Sequence, residues 1–343
     1  MSGHRKRRRA PSATPWGGMD PDDLTPAQKL VKASHDGIYA FRHEAFLGDA
    51  DFFNGYERAA CPKCESDKIS KSGHDRNGVQ RYLCAGCGKS FTPMTGTIFE
   101  DHRLPLTAWA DFVLQAISFE SIAAMTREDR RADTTPPYWM AKLFAVLDGI
   151  QDGVMLSGEV QIDEKYYPLA AKDQVLRPDG KKPRGLSRNQ ICIAVGWCSN
   201  GSSLFSRMGL GKPSKARAWD AYGSHIARGS KLGHDMEHAH DVLVDKLDLD
   251  STVHNSKLIK LLPDKENPLR EVNRLCFLLE LFLNSHSGFA REDLDGYLNL
   301  FWVAMNPPED KLEKVAMVLD RAMRYPKTLR FREFYNVRSR SDS

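Results

Sequence analysis

Four cysteines in the first third of the chain have the spacing of a metal site. They form two CxxC pairs, Cys61 with Cys64 and Cys84 with Cys87, on either side of a segment that is rich in turn-forming residues. Two thiolates three positions apart hold one side of a tetrahedral ion, and the second pair completes the coordination. The sequence therefore predicts a small zinc ribbon with a hairpin between the pairs. Because four thiolates leave no open coordination position, this zinc is expected to be structural.

A carboxylate inside a candidate strand is the second feature that could do chemistry. In residues 159–167, EVQIDEKYY, the apolar Val160 and Ile162 alternate with polar residues, which predicts a half-buried strand. Aspartate is depleted in strands because its side chain prefers to bond nearby backbone groups. Asp163 is therefore either a solvated residue of an edge strand or a functional ligand, and the neighbouring elements decide between the two.

From residue 158 onward, strand signals come first and then alternate with helix signals. EVQIDEKYY, NQICIAVGW and SSLFSRMGL are three consecutive candidate strands, followed by a helix in SKARAWDAYGSHIAR and a short strand, SKLGHD, that ends at Asp235. A helix near AHDVLVDKL, a strand near STVHN and a helix over about residues 268–284 complete the series. This order is typical of the RNase H-like fold, an α/β architecture with a mixed sheet. Its fourth strand lies beside the first, which would bring Asp163 close to Asp235.

Two carboxylates at neighbouring strand ends repel each other unless a cation neutralises them. Hard oxygen ligands favour Mg²⁺ or Mn²⁺, and a pair of such ions supports phosphoryl transfer. Three histidines, His234, His238 and His240, surround Asp235 in the sequence. They are either ligands of a metal site of their own or polar residues at the start of a helix.

The segment between the cysteines and the strands has apolar residues at helical spacing. Three helices there predict a helix-turn-helix whose last helix begins near Tyr138 and exposes Lys142 to DNA. A plain helical linker is the alternative. A basic loop further along suits the phosphates of a nucleic acid; it contains Lys181, Lys182, Arg184 and Arg188.

The composition is that of a globular protein long enough for two or three domains. The 343 residues are 41% apolar and 27% charged, with a net charge of +4 and a basic N-terminal block, HRKRRR. No apolar run approaches the roughly 18 residues that span a bilayer, and no signal-peptide core follows the basic block. The sequence thus predicts a cytoplasmic, nucleoid-associated protein with no membrane partner and with cysteines that are thiols or metal ligands.

Taken in order, several motifs resemble the insertion-sequence transposases of the ISXO-like group. They are CPKC…CAGC, VQIDEKYY, RGLSRNQICIAV, GKPS and VNRLCFLLELFLNSHSGF…YLNLF, over about residues 40–305. Members of that group have a zinc ribbon and a DDE-type RNase H-like domain. The resemblance implies a polynucleotidyl transferase that binds the inverted-repeat ends of a mobile element as a homo-oligomer on double-stranded DNA, cleaves there and joins the ends to target DNA. It assigns Asp163 and Asp235 as the first two catalytic aspartates.

The third catalytic position departs from the pattern of the group. Its members commonly carry a glutamate on the helix after the last strand, with a lysine or arginine seven residues later. Here Asn273 and Glu280 stand at these places, two turns apart on one face of a helix. A carboxamide oxygen can ligate a cation but brings no charge. We therefore expect Asn273 as the third ligand of a weakened or Mn²⁺-preferring enzyme, with an inward-turned Glu280 as the alternative.

The patterns together predict an order of domains and leave several functions open. The expected segments are a basic tail over 1–40, a zinc-ribbon region over 41–103, a helical DNA-binding segment over 104–152, an RNase H-like catalytic domain over 153–305 and a helical C-terminal extension over 306–343. The alternatives to a transposase are a catalytically impaired DNA-binding descendant that acts as a regulator, a zinc-ribbon transcription factor, and another RNase H-like nuclease.

Overall fold

The structure, a computed structural model, describes residues 20–33, 49–101, 104–128, 132–259 and 261–335. The chain divides into two compact units, one made of residues 1–116, 120–146 and 315–343 and the other of residues 117–119 and 147–314. Most of the basic tail expected over 1–40, including the HRKRRR block, lies outside the described residues. The domain boundaries drawn from the sequence stay a prediction.

A three-stranded antiparallel sheet forms the ribbon of the first unit, after a short helix. The elements are α1 (Asp49–Asn54), β1 (Ile69–His74), β2 (Gln80–Cys84) and β3 (Ser90–Phe91). The turn between β1 and β2 is closed by Asp75, whose Oδ1 accepts hydrogen bonds from the N–H groups of Asn77 and Val79 at 2.8 and 2.9 Å. The rings of Tyr82 and Phe91 stack with centroids 5.3 Å apart. This hairpin is the one that the turn residues predict.

Three helices follow the ribbon in the chain. They are α2 (Leu106–Ile117), α3 (Ile122–Glu128) and α4 (Thr135–Leu147). Helices α2 and α4 pack together through aromatic side chains at helical spacing. The rings of Trp109 in α2 and Trp139 in α4 stack with centroids 4.1 Å apart. Phe99 packs edge-on against Trp109 at 5.7 Å. The expected helices are therefore present, and α4 begins at Thr135 rather than near Tyr138.

The second unit contains a five-stranded mixed sheet. Its strands are β4 (Glu159–Pro168), β5 (Gln190–Cys198), β6 (Ser203–Leu210), β7 (Lys231–Asp235) and β8 (Asp250–His254). Their spatial order is β6-β5-β4-β7-β8, in which β4, β5 and β6 pair antiparallel while β7 is parallel to both β4 and β8. This topology confirms the RNase H-like α/β class, with the fourth strand of the sheet beside the first.

Helices lie on both faces of this sheet. They are α5 (Lys215–Tyr222), α6 (Asp241–Leu247), α8 (Arg270–Ser285) and α9 (Leu294–Met305). The short α7 (Ser256–Ile259) follows β8, and α10 (Lys311–Arg324), most of which belongs to the first unit, follows α9 in the chain. Val160 and Ile162 of β4 share an apolar core with residues of α5 and α6, and α8 covers the opposite face. The helix expected over SKARAWDAYGSHIAR ends at Tyr222, because Ile226 instead pairs with Leu156 in an isolated bridge. None of the helices within the described residues is both long and apolar enough to cross a membrane.

The outer edge of the sheet is covered by side chains rather than left open. The side-chain amide of Gln151 takes the place of a neighbouring strand's backbone. Its Oε1 accepts a hydrogen bond from the N–H of Phe205 at 2.9 Å, and its Nε2 donates to the Phe205 carbonyl at 3.0 Å. Asn306 and Trp302 bond the N–H and the carbonyl of Ser203 in the same way. Strand β6 therefore offers fewer free backbone groups to another strand, which protects the sheet edge.

Candidate functional site

Strands β4 and β7 bring Asp163 and Asp235 to neighbouring positions. Gln161 pairs with Gly233 across these parallel strands, so Asp163 and Asp235 follow two residues later at opposite positions. Side chains two residues apart on a strand project from the same face. Asp163 and Asp235 therefore belong to the face that α8 covers, where a Cβ on Gly233 would lie 3.5 Å from Leu269, the residue before α8.

Alternate residues of β4 contact α8 one after another. The pairs are Gln161 with Val272, Asp163 with Cys276, Lys165 with Glu280, and Tyr167 with Leu283. Two residues of a strand rise by about 6.6 Å, and the first two helix steps, of four residues each, rise by about 6 Å, while the last step is three residues. Because these steps are nearly equal, the strand and the helix stay in register along their length. The register puts the thiol Sγ of Cys276 at 3.9 Å from Oδ2 of Asp163.

The two residues predicted for the third catalytic position have different surroundings. Asn273 lies one turn before Cys276 and is half-buried, and its side chain makes no hydrogen bond with a described residue. Glu280 is instead engaged, since its Oε2 lies 2.5 Å from Nζ of Lys165. The side chain of Asn273 therefore has no hydrogen-bond partner among the described residues, whereas Glu280 is engaged in an ion pair.

The surroundings of Asp163 disfavour a free negative charge. Burial, and after it the charges of Glu164 and Asp235, raise the pKa of Asp163 to about 6. One compensating contact is the N–H of Glu164, which donates to Oδ1 of Asp163 at 2.8 Å. Lys165 lies on the same face but is paired with Glu280. A cation bound at Asp163 and Asp235 would relieve this repulsion.

A chain of buried polar groups lies on the opposite face of the sheet. Nε2 of His240 is 2.7 Å from Oε1 of Glu164, Nδ1 of His240 is 3.2 Å from Nδ1 of His234, and Nε2 of His234 is 2.9 Å from Oγ of Ser251. Glu164 was missed from the sequence as a site residue. The signal was present, because Glu164 falls on the same alternate positions as the buried Val160 and is itself buried.

The two imidazoles of this chain have opposite electrostatic environments. Burial by itself lowers the pKa of His240, but the hydrogen bond and charge of Glu164 outweigh it and leave that pKa above the usual value. Burial, followed by the charge of His240, lowers the pKa of His234 to about 4. The side chain of His238 is 93% exposed and lies outside this buried chain. Only two of the three predicted histidines therefore gather at Asp235.

The four cysteines of the ribbon converge on one point. Their Sγ atoms all lie within 4.8 Å of one another, with Cys61 to Cys87 at 3.8 Å and Cys64 to Cys84 at 3.6 Å. Four thiols at these distances fit a tetrahedral zinc ion after small adjustments. Cys192, Cys198 and Cys276 are buried elsewhere and belong to no such group within the described residues.

The two CxxC turns of the ribbon have the same backbone form. The N–H of Glu65 donates to the Cys61 carbonyl at 2.8 Å, and the N–H of Gly88 donates to the Cys84 carbonyl at 2.9 Å. Both donors adopt a positive φ, of 61° and 68°. Gly86 is required for close packing, because a Cβ there would lie 2.9 Å from the side chain of Ser66. The repeat explains how two short motifs present four sulfur atoms to one centre.

The expected exposure of Lys142 to DNA is wrong. Only 5% of Lys142 is exposed, because its helix position lies beside the buried Trp139 and Leu143. Its Nζ donates to the Ile98 carbonyl at 2.6 Å, and burial lowers its pKa to about 8. Tyr138 is half-buried, and its hydroxyl is 2.5 Å from the Leu329 carbonyl. Both side chains therefore stabilise the first unit rather than project toward a partner.

The basic loop is exposed and continues into a basic cleft. Lys181, Lys182, Arg184 and Arg188 are all exposed, and none forms an ion pair with a described residue. A cleft of about 520 Å³ lies where this loop meets the GKPS turn; it is lined by Leu186, Ser187, Arg188, Leu210, Gly211, Lys212 and Arg217. Its lining contains three cationic side chains and no acid. Such a cleft suits a phosphate group.

The cleft lies at the carboxyl end of β4, five residues beyond Asp163. Pro168 at the end of β4 pairs with Gln190, and Ile191 pairs with Leu210 at the end of β6. The carboxyl end of β7, where Asp235 lies, points the same way because β7 is parallel to β4. Arg217 is held in the cleft by the carbonyl oxygens of Leu210 and Lys212. Sequence reasoning did not select Lys212 or Arg217, which become neighbours of the loop only on folding.

The chain is similar in part to a protein from a mobile element. It is 31% identical over 128 residues to an uncharacterized protein in transposable element ISH50 of Halobacterium salinarum (strain ATCC 700922 / JCM 11081 / NRC-1). The match spans 37% of this chain and 42% of that protein, and therefore less than half the length of the relative. No protein-family model matches the chain.

A comparison with solved structures pairs the chain with the crystal structure of a pre-cleavage Mos1 transpososome. The alignment covers 64% of this chain and 79% of the other, with 8% sequence identity and a TM-score of 0.24. A likeness this low carries no weight for fold or function. The strand order and pairing of β4 to β8 define the fold.

Replacing Cys64 by serine is expected to remove one zinc ion per chain and to unfold the ribbon locally. A sheet this small has little apolar core without its ion. Metal analysis should therefore show one zinc fewer than in the wild type, and hydrogen exchange should show loss of protection across β1 to β3. Cys198→Ala, a buried cysteine outside the ribbon, is the control and should keep both properties. Unchanged zinc content in Cys64→Ser would refute the ribbon site.

Proposed function

We propose that the protein is a DNA transposase, a polynucleotidyl transferase that cleaves the ends of a mobile element and joins them to target DNA. The observation that carries this proposal is the placement of Asp163 and Asp235 on adjacent parallel strands of an RNase H-like sheet. The partial similarity to a protein in transposable element ISH50 supports the same class. The resemblance of the sequence motifs to the ISXO-like group supports it independently.

The residues at the sheet fit a divalent cation. Asp163 and Asp235 supply hard carboxylate oxygens; burial, followed by the charge of Glu164, raises the pKa of Asp163, so a bound cation would stabilise its ionised form. Asn273 adds a neutral carboxamide oxygen from α8. When bound, a pair of Mg²⁺ or Mn²⁺ ions supplies activation of the attacking oxygen and stabilisation of the leaving one. The thiol of Cys276 and the packing of α8 hold Asp163 in place and limit access of water to that side.

The basic cleft is proposed to hold the DNA backbone near this site. The cleft contains three positive charges, those of Arg188, Lys212 and Arg217. It lies at the carboxyl end of β4, and the parallel strand β7 ends at Asp235 in the same direction. Arg217 is fixed by two backbone carbonyls, which reduces the entropy cost of bonding a phosphate. The exposed loop with Lys181, Lys182 and Arg184 extends this surface. The zinc ribbon and helices α2 to α4 are proposed to bind the inverted-repeat ends, and the active form is proposed to be a homo-oligomer.

A catalytically impaired descendant that binds DNA is the second candidate. It is favoured by Glu280, which stands where the ISXO-like group places a cation and is paired with Lys165. A site with Asp163, Asp235 and Asn273 also carries one negative charge fewer than a DDE site. Weaker binding of the metal is the physical consequence. Cleavage assays with Mg²⁺ and with Mn²⁺ distinguish the two candidates.

Asp163→Asn is expected to abolish strand cleavage while the protein still binds DNA. The substitution keeps the shape of the side chain but removes the charge that holds the cation. Cleavage is measured on labelled DNA carrying the terminal repeats that flank the coding region, and binding by fluorescence anisotropy. Asp179→Asn, in an exposed loop, is the matched control and should cut like the wild type. Cleavage by Asp163→Asn at the wild-type rate would exclude Asp163 as a ligand.

Exchanging residues at the third position is expected to change metal preference. Asn273→Glu restores the missing charge, so cleavage with Mg²⁺ should match or exceed the wild type, whereas Asn273→Ala should reduce it sharply. Glu280→Ala should have the smaller effect, because Glu280 bonds Lys165 rather than the site. If Glu280→Ala eliminates cleavage while Asn273→Ala is silent, the two roles are reversed. If no protein cuts with either metal, the impaired descendant is the correct assignment.

Removing cations from the cleft is expected to weaken DNA binding in a salt-dependent way. Removal of one cation that neutralises a phosphate lowers the slope of log affinity against log salt by about 1, so Arg188→Ala and Lys212→Ala should each show that change. Lys142→Met is the control, because Lys142 is buried and should leave the slope unchanged. The measurement is anisotropy of labelled duplex DNA over a salt series. An equal effect of all three substitutions would show that net charge, rather than the cleft, governs binding.

A further inference from the structure

Three potential metal ligands meet where β7 ends. One ligand atom each from His234, Asp235 and His240 lies within 4.8 Å of the other two. The Nδ1 atoms of His234 and His240 are 3.2 Å apart, and Nδ1 of His240 is 4.0 Å from Oδ1 of Asp235. Two imidazoles and one carboxylate are the ligand types of a catalytic or regulatory zinc site rather than of a magnesium site.

The Nε2 atom of each imidazole has a hydrogen-bond partner, as does the non-ligating nitrogen of a metal-binding histidine. Nε2 of His240 is 2.7 Å from the carboxylate of Glu164, and Nε2 of His234 is 2.9 Å from the hydroxyl of Ser251. When each Nε2–H donates to these acceptors, each Nδ1 keeps its lone pair. Metal-ligating histidines have such outer partners, which fix the tautomer and the ring orientation. Glu164 and Ser251 thus orient both Nδ1 atoms toward the same place.

The distances need little change to admit an ion. Zinc bonds imidazole nitrogen at about 2.0–2.1 Å, so two nitrogen ligands in tetrahedral geometry are about 3.4 Å apart, close to the observed 3.2 Å. Nδ1 of His240 is 4.0 Å from Oδ1 of Asp235, compared with about 3.3 Å between two zinc ligands in tetrahedral geometry, so the carboxylate must approach His240 by roughly 0.7 Å. The side chain of Asp235 is 31% exposed, whereas that of His240 is fully buried. The Asp235 side therefore gives the ion a route of entry and room for a fourth ligand.

We propose that His234, Asp235 and His240 bind one zinc ion, separate from the ion of the ribbon. The site uses Oδ1 of Asp235 and leaves the other carboxylate oxygen of that residue for a second cation. It would hold Asp235 rigidly beside β4. The zinc site does not depend on the proposed transposase activity, because its ligands and their outer partners are defined without DNA.

The test is the zinc content of the full chain after removal of metal and reloading with Zn²⁺ alone. Wild-type protein should bind two zinc ions per chain. His240→Gln and His234→Gln should each bind one, because a glutamine amide can still donate to Glu164 or to Ser251 but lacks the Nδ1 ligand. His238→Gln is the matched control, since His238 is exposed and outside the cluster, and it should bind two. Cys64→Ser should retain the single ion of the histidine site.

A second variant covers the case in which the histidine substitutions disturb folding. Ser251→Ala removes only the outer partner of His234 and should weaken zinc binding at this site by about 10–100-fold, with an unchanged circular dichroism spectrum. Wild-type protein that binds one zinc ion, or His240→Gln that binds two while folded, would overturn the proposal. The assay contains no DNA, so loss of the proposed cleavage activity and loss of this site are observed separately.

Discussion

Burial of the Asp163 carboxylate beside other negative charges is the electrostatic constraint around which the second unit is arranged. Glu164 and Asp235 both add to the effect of burial and raise the pKa of Asp163. Parallel pairing of β4 with β7, in which Gln161 lies opposite Gly233, brings Asp235 close to Asp163 two residues further along. A packed sheet does not hold such a cluster without compensation. The compensation differs between the two faces of β4.

On one face, Glu164 has a partner within the protein, because Nε2 of His240 lies 2.7 Å from its Oε1. On the other face, Lys165 could have played that part for Asp163 but is bound to Glu280 instead. The departure of this chain from the ISXO-like pattern at residue 280 thus has a structural counterpart, because Glu280 forms an ion pair with Lys165, which lies on the same face of β4 as Asp163. Among the described residues, Asp163 forms no ion pair and the side chain of Asn273 forms no hydrogen bond, which is compatible with the proposed binding of a divalent cation.

Features governed by local periodicity could be predicted from the sequence. The alternation around Asp163, the order of strands and helices, and the two CxxC pairs led to the sheet topology and to the convergence of the cysteines. Side-chain partners set by long-range packing could not be predicted in the same way. Lys142 was expected in solvent, because helical spacing does not show that the Ile98 carbonyl needs a donor. The bond between Glu164 and His240 joins residues 76 positions apart and appears only when α6 packs on the sheet.

The central claim is that Asp163 and Asp235 share a divalent cation. Anomalous diffraction from crystals soaked in Mn²⁺ tests it most directly, because the ion is located without assuming any activity. We expect an anomalous peak on the order of 2–2.5 Å from carboxylate oxygens of both aspartates, absent from crystals of Asp163→Asn. A peak bound by Glu280, or ordered carboxylates with no peak at saturating Mn²⁺, would contradict the claim.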